Sequence, residues 1–230
     1  MNSMSIKNIS YSLTIKLALV ALLLILPGMA IGQNIDKLFV EMPTKLYAGM
    51  SKQNKLELME YHKSQLADSM ENRMGNKVYL QKLDTANQLL VIRTSPFSTL
   101  EMKRFNTDKQ QFVGLIRTVC APVCHSSIAF YTTKWRSVDT GFEMPKSAQW
   151  LLSDANLMQA IDAKWVNSQL ESSFITLSFG TTQQEIIAKN NCLDVKSEED
   201  RKTLSPLLRK EDVVIRYNGT SWCVTPTKKP

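Results

Sequence analysis

Cys120, Cys124 and His125 place two sulfurs and an imidazole within six consecutive positions of a 230-residue chain that has only four cysteines and two histidines. Three chemistries suit that set. A Cys124 thiolate with His125, or the distant His62, as base would make a nucleophile, because a thiol ionises near neutral pH only beside a cation or a base. Neighbours on a strand point to opposite faces, however, so His125 reaches the Cys124 sulfur only if the chain bends sharply there. Cys120, Cys124 and His125 could instead supply three ligands to a tetrahedral zinc, but the sequence holds no second Cys/His cluster to complete a closed site. No metal and no cofactor is expected. The third chemistry, oxidation to a disulfide, is the expected one.

Other catalytic groupings are sparse. Glu57 with Glu60, and Glu198-Glu199-Asp200, offer the paired carboxylates that glycoside cleavage uses. The first pair lies among Lys52, Lys55 and Lys63 at spacings that form ordinary helical ion pairs. The second decorates a helix start, where acids complement the dipole. Beyond residue 32 the six glycines are widely separated, which excludes a nucleophile elbow, a dinucleotide-binding turn and a P-loop. No catalytic, cofactor-binding or metal-binding residue is therefore assigned.

The elements that must position these residues begin after a distinctive leader. Residues 1–32 carry Lys7 and Lys16 and no acid, then an unbroken apolar run over 17–26, then Pro27 and the small residues Ala30 and Gly32. This pattern predicts a secretion signal cleaved between Gly32 and Gln33. The apolar run is about half the ~20 residues that span a bilayer, so no stable membrane span is expected. Removing the leader lowers the net charge from +7 to +5, with lysines and arginines scattered. Nucleic acid is therefore not an expected partner. Export exposes thiols to oxidation. Of the three pairings open to four cysteines, Cys120 with Cys124 and Cys192 with Cys223 is favoured, because the first two flank a hairpin turn.

Residues 33–230 are expected to form one α+β domain, with a subdomain boundary near 140–150. Ile35, Leu38, Phe39 and Met42 have helical spacing before Pro43. A second helix should open at Ser51, carry Leu56, Met59, Leu66 and Met70, and end at Gly75-Asn76. Runs rich in β-formers over 77–83, 88–94, 99–105, 110–119 and 126–135 predict an antiparallel meander. A mostly helical segment over 142–173, capped at Ser153, should follow. Strands over 174–179 and 184–188, a helix opening at Ser197, and a hairpin across Asn218-Gly219 complete the expectation. The fold class is thus α+β, with an N-terminal helix pair and later helices packed on a largely antiparallel meander sheet.

Several of these segments resemble a family of exported bacterial proteins known as domain of unknown function 3256. The resemblance rests on the leader followed by Ile35-Asp36-Lys37-Leu38-Phe39-Val40-Glu41-Met42-Pro43, on Ser98-Thr99-Leu100-Glu101-Met102-Lys103, on Ser127-Ile128-Ala129-Phe130-Tyr131 with Trp135 beyond, and on the closing helical stretch over 198–209. It implies export and an α+β fold, and carries over no activity or site residue. The expected protein is periplasmic or extracellular: a non-enzymatic binding or interaction protein of the cell envelope, with an envelope protein or a glycan as partner. The alternative is a hydrolase with an unfamiliar site, which would need a pocket gathering His125 or the paired carboxylates.

Overall fold

The computed structural model describes residues 34–107, 110–152, 162–172, 174–181 and 184–225. The leader, the last five residues and the expected Ser153 cap lie outside the described residues. Helix α1 (Ile35–Glu41) buries Ile35, Leu38 and Phe39 on one stripe, continued by the capping Met42, and Pro43 cannot donate the N–H that another turn needs. Helix α2 (Lys52–Lys63) opens where the Ser51 hydroxyl accepts the Asn54 N–H. Lys63 donates to the buried Asp36 carboxylate at 2.6 Å. The fully buried Lys55 donates to the Met42 carbonyl and lies 5.8 Å over the Phe39 ring. Burial pushes the Asp36 carboxyl up, but its bonds to Lys63 and the Lys37 N–H outweigh this and hold it below the ordinary Asp value. Burial brings Lys55 down to about 8.

Helix α2 differs from the expected one in both face and length. Its buried residues are Lys55, Leu58 and Met59, whereas Leu56 is exposed, and it stops at Lys63. Gln65 adopts a left-handed φ of 55°, the Leu66 N–H donates to the Tyr61 carbonyl at 2.9 Å, and the Gln65 N–H donates to the His62 carbonyl at 3.0 Å. This is a Schellman ending built on glutamine in place of glycine, so the sequence carried no stop signal there. Leu66 is 74% exposed, and Met70 belongs to a short strand, β1 (Ser69–Glu71). Gln65→Gly removes the Cβ penalty of the left-handed conformation and is expected to add about 1 kcal/mol of stability. A higher urea midpoint at unchanged slope is the readout.

Strand β1 pairs with β2 (Lys77–Asp84), and an antiparallel meander continues through β3 (Leu89–Ser95), β4 (Ser98–Asn106), β5 (Gln111–Cys120) and β6 (Cys124–Tyr131). Alternation along the strands gives this sheet two apolar faces. Leu90, Ile92, Leu100, Met102, Val113 and Leu115 pack under the helix pair. Leu89, Phe105, Phe112, Ile116 and Phe130 join the opposite core.

A second antiparallel sheet covers that opposite face: the meander expected over 77–135 stands whole in the first sheet, and the later strands form a sheet of their own. It runs in the order β7 (Ile175–Phe179), β8 (Glu185–Asn190), β9 (Val213–Tyr217) and β10 (Trp222–Thr225). The segment leading to it is less helical than expected. Residues 142–146 are non-helical, in keeping with the bias Pro145 places on Met144. A 3-10 turn (Ser147–Trp150) follows, and α3 (Ala163–Leu170) starts at Asp162, whose carboxylate accepts the Lys164 N–H at 2.8 Å. Helix α4 (Glu198–Leu204) is capped by Ser197 as expected. In the last hairpin the Asn218 side chain accepts from the Thr220 and Ser221 N–H groups, and Gly219 has φ of 94°. The fold is α+β in three layers: the helix pair, the six-stranded sheet and the four-stranded sheet.

The outer edge of β7 lies on the six-stranded sheet, and side chains satisfy its amides. The Leu177 N–H donates to Ser126 Oγ at 2.9 Å, Phe179 N–H to Glu101 Oε2 at 3.0 Å, and Ile175 N–H to His125 Nδ1 at 3.4 Å. The ammonium of Lys103, only 1% exposed, donates to the Gly180 carbonyl at 2.6 Å. Without these partners a buried edge would leave backbone groups unpaired.

Candidate functional site

The Cys120 and Cys124 sulfurs are bonded to each other across the β5–β6 hairpin, where the two residues are directly opposed. A sulfur held in this way is neither a nucleophilic thiolate nor a metal ligand. The expected pairing of Cys192 with Cys223 is not formed: Cys192 is a buried thiol and Cys223 an exposed one. Strand parity explains the difference. Cys223 is opposite Arg216 on the outward side of the second sheet, whereas Cys192 opens a 3-10 turn (Cys192–Val195) inside the core. Burial pushes the Cys192 thiol up. Oxidised protein should therefore weigh about 2 Da less than reduced protein, rather than about 4 Da. Opening the Cys120–Cys124 ring with a reductant, or with Cys120→Ser plus Cys124→Ser, is expected to cost about 2 kcal/mol in urea unfolding.

Beside this hairpin lies an open groove of about 820 Å³. Residues 125–128 of β6 form one wall, residues 144–146 with Ala148 a second, and the end of α3 with the start of β7 a third. Each wall is anchored. Trp150 Nε1 donates to the Glu211 carbonyl at 3.1 Å, and Ser147 Oγ donates to Asn190 at 3.0 Å, which fixes the segment bearing Lys146 to the second sheet. Val166 and Leu170 bury the inner face of α3, leaving Asn167, Ser168 and Glu171 outward. The Asn191 amide donates to the Cys124 carbonyl at 3.1 Å and holds the disulfide hairpin against β8.

His125 is the one candidate catalytic or metal-binding residue from the sequence that lines this groove. Its Nδ1 accepts the Ile175 N–H, which puts the proton of the neutral ring on Nε2. Among the described residues no Ser, Thr or Cys side chain is hydrogen-bonded to His125, and no three-residue His/Cys/Asp/Glu group could hold a metal. The other candidates lie elsewhere. His62 pairs with Asp68 at 2.6 Å, the half-buried Glu57 and the exposed Glu60 sit on α2, and Glu198, Glu199 and Asp200 form the first turn of α4. Lys146, Asn167, Ser168, Glu171 and Ile175 were missed from the sequence. The one available signal was the polar spacing of Lys164, Asn167, Ser168 and Glu171 along a short helix.

The docking of β7 that shapes the groove also titrates. Burial pushes the Glu101 carboxyl up, and the Phe179 N–H offsets this only in part. Because the folded pKa exceeds the unfolded one, the native state binds more protons between the ordinary Glu value and the raised one. Stability from this group is then full below the window and falls as pH rises through it. Glu101→Gln, which keeps an acceptor for Phe179, is expected to flatten that fall in urea unfolding as pH rises above the ordinary Glu value.

These features define a three-layer α+β protein with a ligand-sized groove beside a disulfide hairpin. Residues 29–222 match the family described as "Protein of unknown function (DUF3256)", and the chain belongs to that family. A solved domain of an uncharacterized protein from Porphyromonas gingivalis W83 has the same fold, with a TM-score of 0.70 and 18% identity over 86% of this chain and 100% of that one. No curated protein matches the chain. Among the described residues no helix is long and apolar enough to cross a membrane.

Proposed function

We propose that this is an exported, non-enzymatic binding protein of the bacterial cell envelope, and that it takes its ligand in the His125 groove. The carrying observation is the groove itself. Its volume falls within the roughly 300–1,000 Å³ usual for ligand sites. Its walls combine an apolar floor with hydrogen-bonding side chains, and no nucleophile is paired with its histidine among the described residues. The leader and the Cys120–Cys124 disulfide support export, since such bonds persist in oxidising compartments. Ser168→Trp places an indole in the groove from the exposed face of α3 and provides the test. Envelope extract is expected to raise the Tm of the wild type and not that of Ser168→Trp, because only native protein with an open groove gains from ligand. Equal shifts in both proteins, or none in either, would count against the groove.

A further inference from the structure

We infer that the ligand is a short apolar peptide with both termini free, a deeper reading that rests on the groove being the binding site. The groove carries both signs of charge. Lys146 and Glu171 both line it, and neither side chain has an ion-pair or hydrogen-bond partner among the described residues. Pairs that do form across elements include Lys63 with Asp36 and Arg216 with Glu185. Two opposite charges facing one cavity without partners suit a ligand that brings both counter-charges itself.

The surroundings reinforce each charge. His125, with Nδ1 taken by the Ile175 N–H, and Lys146 line the same groove, and an imidazole N–H with an ammonium binds a carboxylate by charge-assisted hydrogen bonding. Glu171 caps the C-terminal end of α3, whose last turn contains no basic residue. The carbonyl end of a helix attracts cations, so the carboxylate and the helix end favour an ammonium together. Ile128, Met144, Leu170 and Ile175 add an apolar lining to the same groove. A carboxylate, an ammonium and an apolar body in one small molecule describe a peptide of a few apolar residues. A neutral glycan fragment would leave both charges unmatched, and a single-charged lipid would leave one.

The test uses the mature protein from the periplasm and leucyl-leucyl-leucine as probe, followed by calorimetry and by amide chemical shifts. Shifts are expected at residues 125–128, 146 and 167–171. Acetylating the amino terminus or amidating the carboxyl terminus should each weaken binding about tenfold, the scale of one charge-assisted contact. Lys146→Met should weaken the free-acid peptide about tenfold and leave the amide unchanged, and Glu171→Gln should do the same for the free amine and its acetylated form. The proposal is overturned if the doubly capped peptide binds as well as the free one, or if millimolar peptide shifts none of these residues. If peptide fails while the extract-induced Tm gain remains sensitive to Ser168→Trp, the ligand class is wrong and the groove stands. Loss of both would remove the groove as well.

Discussion

Phe112→Ala is expected to cost about 3–5 kcal/mol, among the largest losses for a single core truncation. Phe112 is almost fully buried where the two sheets meet. Its ring stacks on Phe105 at 4.9 Å and meets Phe130 at 5.6 Å and Tyr217 at 5.2 Å edge to face. Deletion therefore leaves a cavity and removes several aromatic pairs that bridge the layers. Urea unfolding followed by tryptophan fluorescence gives a direct readout, since Trp222 lies 6.4 Å from the same ring. Phe97→Ala is the control: that side chain is 67% exposed, and its loss should change stability by less than about 0.5 kcal/mol. Equal effects of the two substitutions would mean that the sheets do not share this core.

Gly114→Val should cost about 3 kcal/mol, for the opposite reason. Gly114 sits in β5, where valine suits a strand locally, so the penalty arises between the sheets. A Cβ at this position would lie 2.7 Å from Phe179 Cζ and 3.0 Å from Phe105. Relief requires Phe179 to move, and Phe179 ends the strand whose first residue, Ile175, lines the groove. Stability and ligand binding should fall together. Adding Phe179→Leu should recover part of the loss through a favourable coupling between the two sites. If Gly114→Val unfolds like the wild type, the close packing of β7 on β5 is wrong.

Much of this architecture was legible in the sequence because its signals are local. The β-rich runs, the Ser51 and Ser197 caps, Pro43 and the Asn218-Gly219 turn each act within a few residues, and each marks an element boundary in the structure. The end of α2 was hidden because Gln65 takes the conformation for which glycine is the usual marker. The division of strands between two sheets was hidden because side chains of Glu101, Ser126 and His125 stand in for a neighbouring strand along β7, and no local pattern encodes that substitution. The cysteines illustrate both cases. Cys120 and Cys124 are opposed by one hairpin, whereas the pairing of Cys192 with Cys223 depends on which face each residue takes. The apolar neighbours Trp222 and Val224 already placed Cys223 on the other face of its strand. The groove assembles residues from β6, the 144–148 segment, α3 and β7, so of its lining only His125 stood out as a candidate for chemistry, being a rare residue type.

The proposed role depends on occupancy of the groove in the living envelope, and site-specific photocrosslinking measures that directly. A photoreactive phenylalanine analogue at position 168 lines the groove, and one at position 57 sits on α2, outside the groove lining. After irradiation of intact cells, protein purified from the envelope should start near Gln33 and carry an adduct of defined mass at position 168 and none at position 57. Adducts at position 57 alone, equal labelling at both positions, or a labelled chain that still begins at Met1 in the cytoplasm would contradict the account.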